Sequence, residues 1–345
     1  MNNTKPAIWF PAVKTNTGTD KFTEQLVSAL NQKGFQAEIT WLPHHAEYLP
    51  WLVPVPQKPD WANITHVNTW LHPRFYPKNT PMIATVHLCV QDPMYLPYKT
   101  LAQRYYHQFW VTPIEKKSFA QADCVTVVSQ YTARCVERLF DIQAVKTIYN
   151  GIDTDIFCHH PRTSRKKEAF FRLLFVGTNS VRKGFDLLPR IMEELGDGFE
   201  LLYTKSESCN FVVPTNMKPI PYQSPSDLVQ LYRSVDALIF PSRLEGFGLV
   251  IAEAMACGLP VVITNGSALT ELVEHGVTGF LCEQDNIDDF VQTIKHLKKH
   301  PELCAKVGKG ARDIAVARFN INNMVENYIK IYQSVLNTNF DQSHH

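Results

Sequence analysis

The chain has 345 residues, more than one ordinary hydrophobic core contains, so two domains of roughly 150 to 180 residues are expected. Hydrophobic residues make up 45% and charged residues 19%, which is typical of a globular protein. Because the formal net charge is only +1, the composition predicts no overall attraction to nucleic acid or to a membrane. Any anion-binding site must therefore be local.

The cysteines and the N-terminal residues indicate the cellular compartment of the protein. Eight cysteines are scattered singly, without a Cys-x-x-Cys pair, which favours buried reduced thiols over a metal or redox centre. The N-terminal apolar stretch is too short for a signal sequence, and no run of eighteen apolar residues occurs. These features predict a cytoplasmic protein.

The first half of the chain alternates strands with helices. Ala7 to Val13 predicts a strand, and Asp20 to Lys33 predicts a helix. Gly18 lies in the loop between them, where anions often bind, although a simple turn is equally consistent with one glycine. Further strands are predicted at 35–42, 64–68, 82–87, 124–129 and 145–149, and further helices at 101–120 and 131–139. This alternation predicts a doubly wound parallel sheet.

The segment from Pro43 to Trp61 interrupts that alternation. It is rich in proline and aromatic residues, and its prolines exclude a long regular element. Either it is a buried irregular crossover, which we favour, or it is an exposed apolar loop that contacts an acceptor or a lipid surface.

The pattern breaks at Asn150 to Phe157 and in the basic stretch that follows, which is the best linker candidate. Strands and helices then alternate again, so the second half predicts another Rossmann-like domain. The predicted strands are 172–176, 199–203, 237–240 and 261–264, the helices are 185–195 and 226–234, and the tail 287–336 is helical with breaks near 300 and 319. Two such domains are expected to face each other across a cleft at the carboxyl ends of their strands.

Within the second half, the segment from Pro241 to Val262 carries two glutamates, Glu245 and Glu253, eight positions apart. If a helix begins near Phe247, both carboxylates face the same side, since eight positions are about 2.2 turns. The glycines around Phe247 let a ligand approach the backbone, and the free N–H groups of a helix start suit a phosphate.

A second motif, Leu174 to Phe185, places Arg182 and Lys183 just before a helix predicted to start near Gly184. Two cations and a helix start together suit a diphosphate. A solvated basic turn is the alternative, and it is less favoured because the glutamate segment occurs in the same domain.

Two further features concern a histidine and an acidic triplet. His87 ends a predicted strand, where its ring can hydrogen-bond to a ligand. Asp153 and Asp155 form an Asp-x-Asp triplet, for which we predict a structural turn or cap instead of a metal site.

These motifs together resemble the family-4 retaining glycosyltransferases of the GT-B fold, in the group called glycosyl transferases group 1. The similarity covers nearly the whole chain and is strongest from Phe175 to Phe280. It implies an α/β protein of two facing Rossmann-like domains. The implied divisions are an acceptor-binding domain at 1–150, a linker at 151–168, a nucleotide-sugar-binding domain at 169–320, and a C-terminal helix and tail at 321–345 that could pack on the first domain.

The resemblance also implies roles for individual residues. The catalytic group comprises Arg182, Lys183, Glu245 and His87, with the two cations holding the diphosphate, Glu245 contacting the donor sugar and His87 in the cleft. The donor-binding group comprises Gly177, Thr178, Phe247, Gly248, Leu249 and Glu253, the last of these on the ribose. Thr178 stands where many members have an arginine, and Gly18 stands for a frequent Gly-Gly pair, so contact of Gly18 with acceptor or phosphate is a weaker expectation.

The resulting hypothesis is a retaining hexosyltransferase-type enzyme that uses a nucleoside diphosphate sugar, without an essential metal or other cofactor. Its partners would be the nucleotide sugar and a glycan or lipid-linked glycan acceptor, with peripheral membrane contact as an open alternative and no nucleic acid. Cell-surface polysaccharide or glycolipid assembly, at the inner face of the membrane, is the class-level expectation. A catalytically silent sugar-nucleotide-binding subunit and a nucleotide-sugar epimerase of the same fold are the competing hypotheses.

Overall fold

A computed structural model describes residues 4–158, 170–205, 211–221 and 223–342. The predicted linker residues 159–168 lie outside the described residues. The chain divides into two compact units: unit 1 contains Met1–Gly151 and Ile321–His345, and unit 2 contains Ile152–Asn320.

Unit 1 is built on a six-stranded parallel sheet in the order β2-β1-β3-β4-β5-β6. This confirms the predicted doubly wound sheet of the first half. The strands are β1 (Ala7–Val13), β2 (Gln36–Leu42), β3 (Ile64–Asn68), β4 (Met82–Val86), β5 (Cys124–Val127) and β6 (Lys146–Thr147). The helices are α1 (Gly18–Gln32), α2 (Leu101–Tyr106), α3 (Thr112–Gln121), α4 (Gln130–Phe140) and, from the chain's end, α10 (Ile321–Gln342).

The C-terminal helix α10 contributes to the core of unit 1. Its apolar side chains pack in the same cluster as residues of β1 and α1, including Ile8 and Leu26. Buried hydrogen bonds fix its register, since the Tyr332 hydroxyl lies 2.7 Å from Nδ1 of His66 and Nε2 of His66 lies 2.6 Å from Thr85 Oγ1. Burial lowers the pKa of His66 to about 3, so this imidazole is neutral.

The predicted helix over 101–120 is not continuous. It divides into α2 and α3 around a π-helical turn, His107–Val111. Pro113 has no N–H to donate to the preceding turn, which is a physical reason for the widened turn before it.

The segment 43–61 contains only two short 3-10 turns, His44–Glu47 and Pro50–Leu52, as its prolines require. The favoured buried crossover was wrong for most of its large apolar side chains. Ala46, Pro50 and Val53 are buried, whereas the exposed large apolar residues of the segment are Tyr48, Leu49, Trp51, Leu52 and Val55.

Unit 2 contains a second six-stranded parallel sheet, in the order β12-β11-β10-β7-β8-β9, which confirms the second Rossmann-like domain. The strands are β7 (Phe171–Phe175), β8 (Phe199–Thr204), β9 (Met217–Ile220), β10 (Ala237–Phe240), β11 (Val261–Thr264) and β12 (Phe280–Cys282). The helices are α5 (Leu188–Leu195), α6 (Pro225–Ser234), α7 (Leu249–Ala256), α8 (Ile287–Lys299) and α9 (Pro301–Arg318).

Sequence reasoning missed the two edge strands of this sheet, β9 and β12. Both are short, with four and three residues, and β9 contains Pro219, which is tolerated only where one side of a strand lacks a partner. The central strands β10 and β11 are buried at every position, so their apolar runs were recognisable.

Candidate functional site

Two loops of unit 2 that are far apart in sequence meet because β7 and β10 are neighbouring parallel strands. Nζ of Lys183, from the loop after β7, lies 2.6 Å from Oε1 of Glu245, from the loop after β10. Nη1 of Arg182 lies 3.4 Å from the same oxygen and donates to the Leu244 carbonyl oxygen at 2.8 Å. The structure thus brings together three of the predicted catalytic residues in one ion-pair cluster.

The electrostatics of this cluster favour a charged carboxylate. Glu245 is only 7% exposed. Burial raises its pKa, but the charges of Lys183 and Arg182 and the hydrogen bonds outweigh it, so the net pKa is lowered. Burial also lowers the pKa of Lys183, an effect that Glu245 partly offsets.

The two oxygens of the Glu245 carboxylate have different surroundings. Oε1 accepts from Lys183, from Arg182 and from Ser242 Oγ, the last at 2.6 Å. Within the described part of the chain, every donor to this carboxylate contacts Oε1. Oε2 can therefore accept a hydrogen bond from a ligand without breaking the cluster.

Gly184 allows the two loops to approach. Its φ of +69° is a left-handed conformation that side chains disfavour, and a Cβ at this position would overlap the Pro241 carbonyl oxygen. The backbone N–H of Arg243 donates to the Arg182 carbonyl oxygen at 2.9 Å, which joins the loops directly.

Sequence reasoning missed Arg243, which links the loop after β10 to the loop after β7. Its side chain donates to both carboxylate oxygens of Asp186, at 2.7 and 2.9 Å, and to Asp285 Oδ1 at 2.6 Å. It also donates to the Val181 carbonyl oxygen. Arg243 is only 6% exposed, and no pattern in the sequence distinguishes it from a solvated loop arginine.

The helix after β10 begins later than predicted. It starts at Leu249, after Gly248 with φ of +104°, and not near Phe247. Glu245 lies in the loop before this start, and the expectation that both carboxylates face the same side stays a prediction. Glu253 lies inside α7, is 1% exposed, and its Oε2 accepts from the Tyr232 hydroxyl at 3.0 Å.

The N-terminus of α7 has no side-chain cap. The Ile251 N–H already donates to the Gly248 carbonyl oxygen at 3.0 Å, so the first turn can offer a ligand the N–H groups of Leu249 and Val250. Such a helix start favours an anion through its amides and its dipole.

The remaining predicted donor residues lie in the loop after β7. The Gly177 N–H donates to Thr204 Oγ1 at 2.9 Å, so this amide already has a partner. Thr178 Oγ1 lies 3.4 Å from Ser180 Oγ in the same loop. Their predicted contacts with a donor remain predictions.

Unit 1 contains a cavity of about 410 Å³ at the carboxyl ends of β1, β3 and β4. It lies where the sheet order reverses between β1 and β3, which is the usual ligand position in such sheets. His87 lines it, packs edge-on against Phe22 at 4.7 Å, and hydrogen-bonds to no other described residue. Burial lowers the pKa of His87 to about 4, so the ring is neutral near pH 7.

Gly18 is the first residue of α1 and is not among the residues that line this cavity. The loop amides before it, of Thr15 and Asn16, donate to the Asp20 carboxylate at 3.0 and 2.7 Å. The structure therefore provides no support for a phosphate contact at Gly18.

The acidic triplet has the capping role that was predicted for it. Asp153 Oδ1 accepts from the backbone N–H groups of Asp155 and Ile156, both at 3.0 Å. Thr154 Oγ1 accepts from Asn320 Nδ2 at 2.6 Å. No group of three or more His, Cys, Asp or Glu side chains arranged to hold a metal occurs among the described residues.

Within the described ranges, no helix combines the length and hydropathy needed to cross a bilayer. The seven described cysteines are all free thiols.

Two family models match consecutive parts of the chain: Glycosyltransferase Family 4 over residues 32–156 and Glycosyl transferases group 1 over residues 159–314. The N-acetyl-alpha-D-glucosaminyl L-malate synthase of Bacillus anthracis is 30% identical over 236 residues, or 63% of this chain and 61% of that protein. The chain spans 61% to 64% of the length of the first curated relatives that it matches.

Two solved structures share the fold over nearly the whole chain. Sucrose-phosphate synthase from Thermosynechococcus elongatus has a TM-score of 0.78 at 18% identity, covering 97% of this chain and 100% of that one. Anabaena HepE in complex with UDP-glucose has a TM-score of 0.75 at 19% identity, covering 95% and 99%.

Proposed function

Because the chain belongs to the family-4 glycosyltransferases of the GT-B fold, we propose that it transfers a sugar from a nucleoside diphosphate sugar to an acceptor hydroxyl. We further propose that the anomeric configuration is retained. The observation that carries this proposal is the cluster of Lys183, Arg182 and Glu245 in the same unit as the uncapped start of α7.

In this proposal unit 2 binds the donor. Departure of the nucleoside diphosphate develops negative charge on a phosphate oxygen, and Arg182, Lys183 and the first amides of α7 supply positive charge to stabilise it. Phe247, Gly248 and Leu249 contribute backbone contacts. The UDP-glucose in the Anabaena HepE structure makes a uridine donor the first to test.

Glu245 is proposed to accept a hydrogen bond from a hydroxyl of the donor sugar. Since its Oε1 is occupied by Lys183, Arg182 and Ser242, Oε2 is the oxygen for a sugar hydroxyl. Glu253 is proposed to bind the ribose, which requires that it turn from Tyr232 toward the ligand. The positive charge of the cluster is proposed to replace a metal.

Unit 1 is proposed to bind the acceptor in the cavity that His87 lines. A neutral imidazole can donate through one nitrogen and accept through the other, which suits a hydroxyl group. The proposed location is the cytoplasm, in keeping with the seven free cysteines.

The test begins with a thermal-shift panel of UDP, GDP and ADP sugars, because a ligand that binds only the folded state raises the melting temperature. Lys183→Ala is expected to reduce turnover by roughly 10², the scale for losing one preorganised charge. Lys299→Ala, an exposed lysine on α8, is the matched control. Nearly full activity in Lys183→Ala would refute the assignment.

Product analysis separates the competing functions. A transferase forms a glycosylated acceptor, whereas an epimerase converts the nucleotide sugar without one, and a silent binding subunit shows a thermal shift without turnover. The intact cluster favours the transferase over the silent subunit.

We also propose that unit 1 contacts a membrane through an apolar rim, defined as Trp51, Leu52, Leu101, Tyr105 and Phe109. All five side chains are more than half exposed. The two segments of the rim adjoin, since Trp51 packs against Trp110 at 5.9 Å and Glu47 accepts from the Tyr106 hydroxyl at 3.0 Å. Residues 48–59 and 93–114 include no Asp or Glu but three cations, Lys58, Lys99 and Arg104, which suits an anionic lipid surface.

Liposome flotation tests the rim. Wild type is expected to float with anionic vesicles, and the Leu52→Ser and Phe109→Ser double variant is expected to stay at the bottom of the gradient. Val277→Ser, at an exposed valine of unit 2, is the control. Equal flotation of all three proteins would exclude the rim as the contact. A surface polysaccharide or glycolipid pathway is the proposed context of this contact.

A further inference from the structure

We infer that the acceptor group entering the unit 1 cavity is an uncharged polyol such as a sugar ring, and that Asp20 excludes anionic acceptors. The inference rests on the proposed function, and it specifies the acceptor class that the transferase would use.

Among the described residues, the wall of the cavity has no lysine or arginine that could pair with an anion. It does include the carboxylates of Asp20 and Glu47. Burial keeps two lining histidines neutral near pH 7, since the pKa is lowered to about 3 for His66 and about 4 for His87. The third, His44, faces Glu47, with Nε2 at 3.7 Å from Oε2.

The helix start beside the cavity already holds a carboxylate. Asp20 is buried in the first turn of α1 and accepts from the N–H groups of Thr15 and Asn16 and from Thr15 Oγ1, at 3.0, 2.7 and 2.9 Å. A phosphate or carboxylate ligand would normally take these donors. Here a ligand anion would meet a buried charge of the same sign.

Lys14 lies near Asp20 but does not make the cavity favourable for an anion. Its Nζ lies 2.7 Å from Glu24, 3.8 Å from Asp20 and 4.2 Å from the centroid of the Trp41 ring. It is not a lining residue. Its charge is therefore shared between Glu24, which does not line the cavity, and Asp20, which does.

The groups that do line the cavity suit sugar hydroxyls. The Asn68 amide and the neutral His87 ring can each donate or accept. The Thr15 hydroxyl already donates to Asp20, and the Thr17 hydroxyl to Thr15, so both can accept from a ligand hydroxyl. Tyr48 and Trp70 offer aromatic surface to the apolar face of a sugar ring, and Trp70 is held by its Nε1 donation to Glu115 at 3.0 Å. The Bacillus anthracis relative, by contrast, has a name that specifies malate, an anion.

Matched glycosides test the inference on the full chain. Saturation-transfer NMR compares binding of 4-nitrophenyl glucoside with that of 4-nitrophenyl glucuronide, which differs by one carboxylate. We expect at least roughly tenfold weaker binding of the glucuronide, because like charges are juxtaposed. Equal or tighter binding of the glucuronide, or binding of neither compound while a nucleotide sugar still raises the melting temperature, overturns the inference.

The nucleotide-sugar thermal shift separates the two failures. If no nucleotide sugar raises the melting temperature, the proposed function is refuted. If a nucleotide sugar raises it but the chain prefers the glucuronide, only the assignment of the acceptor class is refuted.

Asp20→Asn tests the residue itself. It keeps one acceptor oxygen for the loop amides but removes the charge, so the preference for the glucoside is expected to fall to within about threefold. Glu47→Gln provides a second variant should Asp20→Asn fold poorly, with a smaller loss of discrimination expected. A preference unchanged in both variants means that neither carboxylate excludes the anion.

Discussion

Arg243→Met tests whether the buried arginine of unit 2 holds the loops after β7 and β12 in place. The side chain joins the loop after β7, through Asp186 and the Val181 carbonyl oxygen, to Asp285 after β12. Methionine retains much of the volume but removes all the donors, so Asp186 and Asp285 both lose the guanidinium that they contact.

The structure sets the size of the effect. Removing one partner of a buried ion pair costs about 3–5 kcal/mol. The side chains of Asp186 and Asp285 are 28% and 38% exposed, so water compensates part of that loss. We therefore expect about 2–4 kcal/mol, which for a domain of 150–250 residues lowers the melting temperature by roughly 4–16 °C.

Thermal unfolding with and without a nucleotide sugar measures both consequences. Arg243→Met is expected to melt earlier and to lose most of the donor-induced shift, because Lys183 and Arg182 are no longer positioned. Arg190→Met is the control, since Arg190 is 72% exposed and its ion-pair partner among the described residues is Glu194 on its own helix. A melting temperature and donor shift equal to those of wild type would refute the reasoning.

Three further predictions concern pH, backbone and metal. Burial raises the pKa of Glu115 to about 7, because it outweighs the hydrogen bonds from Gln91, Trp70 and Thr69. The protonated form of Glu115 is therefore favoured in the folded state. The stability that it contributes is complete below the ordinary pKa of glutamate and is lost as the pH rises through 7. The melting temperature of wild type relative to Glu115→Gln should therefore fall between pH 5 and 7.5, by the equivalent of roughly 2–3 kcal/mol, and parallel curves would contradict this. Gly184→Ala should lower the melting temperature and weaken donor binding, measured by calorimetry, at least roughly tenfold, because the added Cβ overlaps the Pro241 carbonyl oxygen. Gly276→Ala is the control, since Gly276 also has a positive φ, of +75°, but open space around it. This variant should affect stability alone. Turnover should survive EDTA, because the cations of the cluster supply the positive charge, and restoration by Mg²⁺ or Mn²⁺ of an activity lost in EDTA would refute this.

Most of the regular elements were predictable because their signals are local. The strands Ala7–Val13, Ile64–Asn68, Ala237–Phe240 and Val261–Thr264 have the bounds predicted from their apolar runs. Prolines and glycines marked most interruptions. The π turn at His107–Val111 and the edge strands β9 and β12 lack such a signal, since they depend on one proline or on a neighbouring strand.

The candidate site was predictable in its residue types but not in its geometry. Arg182, Lys183 and Glu245 stood out because cations and an acid adjoin glycine-rich strand ends, but their direct ion pairs were not predicted. The observed partner of Glu245 is Lys183, because the order of the strands brings the loops after β7 and β10 together.

The sequence by itself determined the two parallel-sheet domains, the family resemblance and the charged residues at the strand ends, because periodicity and short motifs are local properties. Only the tertiary structure revealed that Arg243 joins the loops after β7 and β12, that Asp20 occupies the helix start in unit 1, and that most large apolar side chains of segment 43–61 are exposed. All three features depend on burial and on contacts between elements that are distant in the chain. The pattern of neighbouring residues specifies neither the burial nor the contacts.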